Sequence, residues 1–113
     1  MVAGKRDKPH PIEFFLRNMK LTKRQVTMRL AEVPLWSLRG RRISRTFVFK
    51  SFRQGIQFLN QVVKLADGMN HHPDITINYD RVRLSLTTHD EGGLTSKDFT
   101  LAKRINHLMQ HSK

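Results

Sequence analysis

No cysteine occurs among the 113 residues. That excludes a disulfide framework, a thiolate zinc site and a cysteine nucleophile. Acids are scarce as well, with nine Asp and Glu against 21 Lys and Arg. No apolar run approaches the ~20 residues needed to span a bilayer. The longest N-terminal apolar patch, Ile12 to Leu16, is broken by Glu13 and is too short for a secretory signal. Serine is absent before Ser37, whereas Asp7 and Glu13 are present, a poor match to a mitochondrial transit peptide. The expectation is a cytoplasmic protein without a membrane span, with nuclear or mitochondrial placement left open. Glycine never forms a phosphate loop, because Gly92-Gly93 lacks the longer glycine pattern and the lysine–hydroxyl ending.

What is present is unevenly distributed. Residues 1–53 hold 14 Lys and Arg against three acids, a net of +11, whereas residues 54–113 hold seven against six, a net of +1. A chain of this length fits one domain and buries roughly two thirds of its unfolded surface, enough for a modest core. Residues 1–20 read as a basic N-terminal extension, with a flexible tail over 1–11 and a short amphipathic turn over 12–20. Residues 21–113 read as the domain itself.

Thr22 with Gln25 forms a capping box, after which Val26, Leu30 and Val33 share one helical face until Pro34. Leu35 to Leu38 is a short apolar segment around Trp36, Arg39-Gly40-Arg41 a turn, and Ile43 to Lys50 an alternating strand. Ser51 and Gln54 repeat the capping box ahead of a helix over 52–69 that carries Ile56, Leu59, Val62, Val63 and Ala66. Ile75 and Ile77, then Val82, Leu84 and Leu86, alternate as two strands joined near Tyr79-Asp80. Thr95 caps a last helix bearing Phe99, Ala102, Ile105 and Leu108. The order α-β-β-α-β-β-α predicts an α+β fold: a four-stranded antiparallel sheet with helices on one face. The other sheet face is left open to association with a second copy.

Three of the six histidines and six of the nine acids fall between Asp67 and Asp98. Histidine exchanges protons near neutral pH. His71 and His72 are adjacent, so in an extended segment they point to opposite sides. Pro73 restricts His72 to extended geometry. His89 ends the last strand, where the chain enters a loop. The set therefore points to proton transfer, against the alternatives of polar turn residues or a three-histidine zinc site, which the divergence of the adjacent pair disfavours. Asp98, three residues after Thr95, also suits a helix cap, and Asp67 an exposed helix end. Trp36 suits core or pocket wall.

The spacing Asp67-x3-His71-His72-Pro73-x5-Tyr79-x9-His89-x8-Asp98 resembles the signature of the pterin-4a-carbinolamine dehydratases. The likeness extends to Trp36, to Phe47-Val48-Phe49-Lys50-Ser51-Phe52 and to Gly93-Leu94-Thr95, covering roughly residues 21–110. It implies loss of water from a 4a-hydroxytetrahydropterin to give a quinonoid dihydropterin, the recycling step after aromatic hydroxylation. It also implies assembly as dimers or tetramers and no metal or redox cofactor, the pterin being the substrate. By position, His71 and His89 become the acid–base pair and His72 a binding or orienting residue. Asn70, Pro73, Thr87, Thr88 and Asp90 become pocket residues, with Asp67, Asp98 and Trp36 in support. The chain departs from some members at Asn70, Ile75 and Lys97, where they have aspartate, tryptophan and arginine.

The resemblance carries a rival reading, because animal members bind a transcription factor and related proteins act as assembly factors. A non-catalytic binding module would use the basic half, with Arg41, Arg42 and Arg45 as the residues to watch for nucleic acid or an acidic protein.

Overall fold

The computed structural model describes residues 11–111; apart from Pro11, the tail expected over 1–11 lies outside them. The elements are α1 (Pro11–Asn18), α2 (Lys23–Leu30), β1 (Ser37–Arg39), β2 (Arg42–Val48), α3 (Phe52–Met69), β3 (Asp74–Asn78), β4 (Arg81–Leu86) and α4 (Ser96–His111). The expected order is right from α2 onward, and the correction is α1. Pro11 opens that helix at its first position, where an N–H would have no intrahelical acceptor in any case. It lies against α4 while keeping Ile12, Phe14, Phe15 and Leu16 exposed.

All strand pairs are antiparallel, in the spatial order β1-β2-β4-β3. The β2–β4 register places Ile43 opposite Leu86 and Phe47 opposite Val82. Those residues and Leu84 are at most 2% exposed. They meet Phe58, Leu59 and Val62 of α3 and Phe99, Ala102 and Ile105 of α4 in one core. Burial of each large side chain contributes about 1.5–3 kcal/mol. The opposite face shows Thr46, Val48, Arg81, Arg83 and Thr76. β3 and β1 are edges, and every residue of β3 is exposed.

Capping follows the sequence closely, with one shift. At α2 both bonds of the capping box form between Thr22 and Gln25. At α3 the Gln54 backbone N–H donates to Ser51 Oγ, but Gln54 Oε1 accepts from the Lys50 N–H rather than from Ser51. The reciprocal half of the box has moved back one residue.

Trp36 belongs to the core. Its ring meets Phe47 edge-on with centroids 6.4 Å apart, and Nε1–H donates to Asn106 Oδ1 at 2.7 Å. The same oxygen accepts from Arg45 Nη1 at 2.6 Å, and Asn106 Nδ2 donates to the Pro34 carbonyl. The Arg45 guanidinium also sits 4.3 Å from the Phe47 ring centroid. Burial pushes its pKa below the ordinary arginine value. Arg42 donates to Ser85 and pairs with Asp74. Of the three arginines marked for an anionic partner, two are therefore committed within the fold, Arg42 to an ion pair and Arg45 to the Asn106 amide, whereas Arg41 is in no ion pair with a described carboxylate.

Candidate active site

The site lies at the sheet end where β3 begins and β4 stops. The α3 helix ends there because Asn70 adopts the left-handed conformation, φ 51° and ψ 42°, which asparagine tolerates better than most residues. The Asn70 N–H then bonds the Asp67 carbonyl and the His71 N–H the Ala66 carbonyl. This double closure of the helix end aims the next two residues. Asn70 is thus a backbone device as well as a wall of the cleft.

His71 turns inward and is 8% exposed. Its Nε2 lies 2.6 Å from Asp98 Oδ1. Asp98 itself is wholly buried. Its Oδ2 accepts from the Thr95 N–H at 2.9 Å and from the Thr88 hydroxyl at 2.8 Å. Because Thr88 spends its single hydroxyl proton on Asp98, the 2.9 Å contact between the Thr88 and Thr95 hydroxyls has Thr95 as donor. A carboxylate only accepts, so this contact has the His71 Nε2–H as donor and leaves Nδ1 as the acceptor nitrogen of the ring. The cap and the support expected of Asp98 are one and the same arrangement.

His72 points the other way. Its Nε2 meets Asp67 Oδ1 at 2.9 Å, with both side chains more than half exposed. The adjacent histidines diverge as the extended-chain argument requires, each backed by its own aspartate. Among the described residues, no group of three or more His, Asp and Glu is arranged to hold a metal.

The third histidine arrives from β4. Residues 87–93 form a closed loop: Thr88 and Gly93 exchange backbone bonds, and a short 3-10 turn, His89–Glu91, is ended by Gly92 at φ 73°. The positive φ explains the glycine there. Thr87 Oγ1 donates to the Arg41 carbonyl at 2.6 Å and ties the loop to the β1–β2 turn.

Asn70, His71, His72, Thr87, Thr88, His89 and Asp90 line a cleft of about 330 Å³, joined by Lys97 from the first turn of α4. Seven of the expected residues therefore converge. Pro73 sits beside the cleft without lining it, and Trp36 lies in the core. Tyr79 holds the tight β3–β4 connection at φ 54° and is 70% exposed. A five-residue strand of about 3.3 Å per residue separates it from the histidines. Its place in the spacing reflects a turn. Sequence reasoning marks Lys97 only as a departure, although its position two residues after the Thr95 cap places it in the first turn of α4, where it is half-buried.

The model for the family described as pterin 4 alpha carbinolamine dehydratase matches residues 19–108. A protein of Sulfurisphaera tokodaii, named "Putative pterin-4-alpha-carbinolamine dehydratase", is 47% identical over 90 residues, 80% of this chain and 97% of its own length. A protein of Chloroflexus aurantiacus with the same name is 49% identical over the same shares. The solved structure of a transcriptional coactivator/pterin dehydratase from Brucella melitensis superposes with TM-score 0.75 at 33% identity, covering 79% of this chain and 97% of that one. A pterin dehydratase-like RuBisCO assembly factor of the alpha-carboxysome, 22% identical with TM-score 0.57 over 68% of this chain and 92% of its own, shares the fold. The chain belongs to the pterin-4a-carbinolamine dehydratase family.

Proposed function

We propose that the protein removes water from a 4a-hydroxytetrahydropterin to give the quinonoid dihydropterin. The observation that carries this reading is the convergence of three histidines on one cleft, the most buried of them oriented by a buried aspartate. Hydroxide is a poor leaving group, so the C4a oxygen must receive a proton as it departs. N5 must lose its proton as the C4a–N5 double bond forms. Each such transfer by a positioned imidazole contributes about 10²–10⁴ in rate. His71, through Nδ1, and His89 form the acid–base pair, while the exposed His72 orients the ring. Asn70, Asp90 and Lys97 offer polar groups to the pterin edge. Thr88 acts behind His71, since its donor proton is spent on Asp98. The chemistry calls for no metal or redox cofactor.

The test is turnover of a synthetic 4a-carbinolamine, followed by the absorbance of the quinonoid product. Wild type should exceed the buffer rate, and His71→Ala with His89→Ala should remove most of the gain while circular dichroism stays unchanged. A folded wild-type protein no faster than buffer would refute the enzyme and favour a binding module. The two free sheet edges and uncovered sheet face also support assembly with a second copy, which sedimentation velocity checks directly.

A further inference from the structure

We infer that the pterin handled by this protein carries an anionic side chain, a terminal phosphate or carboxylate, received by a basic trough that opens from the catalytic cleft; this rests on the dehydratase reading above. His89 and Thr87 border a second cleft of about 460 Å³, walled by Arg39, Arg41, Arg42 and the Gly92-Gly93 turn. Arg41 and Gly93 border in turn a third, of about 490 Å³, with Lys20 and Lys23 on its rim and Val26, Leu38 and Leu94 along it. Shared bordering residues, first Thr87 and His89 and then Arg41 and Gly93, set the three spaces in series leading away from His89. Five cations line its outer two sections, and no acid does. Arg42 is already paired with Asp74. Lys20, Lys23, Arg39 and Arg41 are in no ion pair with a described carboxylate.

This path is held in place by specific contacts. The Thr87 hydroxyl clamps the Arg41 carbonyl and seats the arginine-bearing turn at the mouth of the cleft. The Lys20 stem crosses Gly93 so closely that a Cβ there would come within 3.3 Å of Lys20 Cδ. The Leu21 N–H to Leu94 carbonyl bond, 2.8 Å, anchors the same segment. Thr87 borders the catalytic cleft and also positions the arginine-bearing turn beyond it.

Pterin chemistry supplies the direction. The reacting atoms are C4a and N5, and the side chain leaves from C6, which is bonded to N5. The tail thus starts at the reacting edge of the ring, beside the histidines that act there. The outlet bordered by His89 leads into the basic trough. Four cations around one groove, none in an ion pair with a described carboxylate, repel one another, and a neutral polyol tail would not offset that repulsion. A phosphate or carboxylate would, and the guanidinium fork matches either group.

Three substrates separate the cases: a 4a-hydroxytetrahydropterin with a neutral trihydroxypropyl side chain, its terminal phosphate ester, and one with a glutamylated side chain. We expect kcat/KM for one or both anionic substrates to exceed the neutral one by about tenfold or more at low salt. The gap should close as salt screens the trough. Arg39→Gln with Arg41→Gln should draw the ratio toward one. The stable 7,8-dihydro forms of the same three compounds, titrated by fluorescence, rank binding without turnover. Equal handling of neutral and anionic compounds, or a preference that survives the double substitution, overturns the tail assignment and leaves the dehydratase reading intact. Preferential anion binding without turnover of any substrate overturns the dehydratase reading and keeps the trough. No binding of any compound overturns both.

Discussion

Two histidine–aspartate pairs sit side by side in this protein, and they are built differently. His72 and Asp67 are five residues apart, exposed, and joined by one contact. His71 and Asp98 are 27 residues apart, buried, and joined to Thr88, Thr95 and the start of α4. Exposed pairs of the first kind contribute about 0–1 kcal/mol, because water competes and two mobile side chains must be ordered. The second pair is buried, and each group removed leaves another buried without a partner. Adjacent residues of the same type thus stand in different surroundings, set by what lies behind each.

Substitutions should separate the pairs in a definite order. Asp98→Ala removes the partner of three donors at once. It should cost about 3 kcal/mol, read as a drop in Tm of roughly 10 °C, together with nearly all turnover. Asp98→Asn is the sharper case. Its amide oxygen can still accept from Thr88 and Thr95, but its NH2 faces Nε2 and reverses the histidine tautomer. We expect kcat to fall by about a hundredfold or more, with a much smaller loss of Tm. Equal activity of the Asn variant and wild type would break the claim that Asp98 sets the His71 tautomer. His72→Ala should raise KM several-fold with kcat within about tenfold of wild type, which steady-state kinetics would show. Asp67→Ala comes last, with Tm within about 2 °C and kcat/KM within about threefold. If Asp67→Ala proved as costly as Asp98→Asn, burial would not be the feature that distinguishes the two sites.

The core gives a control remote from the chemistry. Asn106→Leu would orphan both the Trp36 indole and the Arg45 guanidinium. Denaturant unfolding should show a loss of about 2–3 kcal/mol, while kcat per folded molecule stays at the wild-type value.

Much of this was legible from local rules. The Thr22 box, the Ser51 cap, the alternation through Val82, Leu84 and Leu86 and the turn at Tyr79 each depend on a few neighbouring residues, and each appears where it was read. The divergence of His71 and His72 followed from chain geometry alone. What escaped was decided by distant partners or by an exception to a rule. Arg45 looked like one of a run of surface cations, yet Asn106, 61 positions away, takes its guanidinium. Tyr79 kept its spacing to the histidines although it serves a turn at the far end of the hairpin. The stretch 12–20 reads as no more than a short amphipathic turn, whereas Pro11 at the first helical position starts the two-turn helix α1. Asp98 suits either a helix cap or a histidine partner by sequence, and only the fold shows one carboxylate bonded both to the Thr95 N–H and to His71.

That double use has a consequence for how activity could be lost. The carboxylate that closes the first turn of α4 is the one that orients His71, so assembly of the site and docking of that turn are a single event. Opening of Thr95 to Asp98 would disturb few residues and leave the sheet and most helix signal in place. It would still release the imidazole. Inactivation under mild denaturant would then precede global unfolding, and amide exchange at Thr95 would mark it before any change in shape.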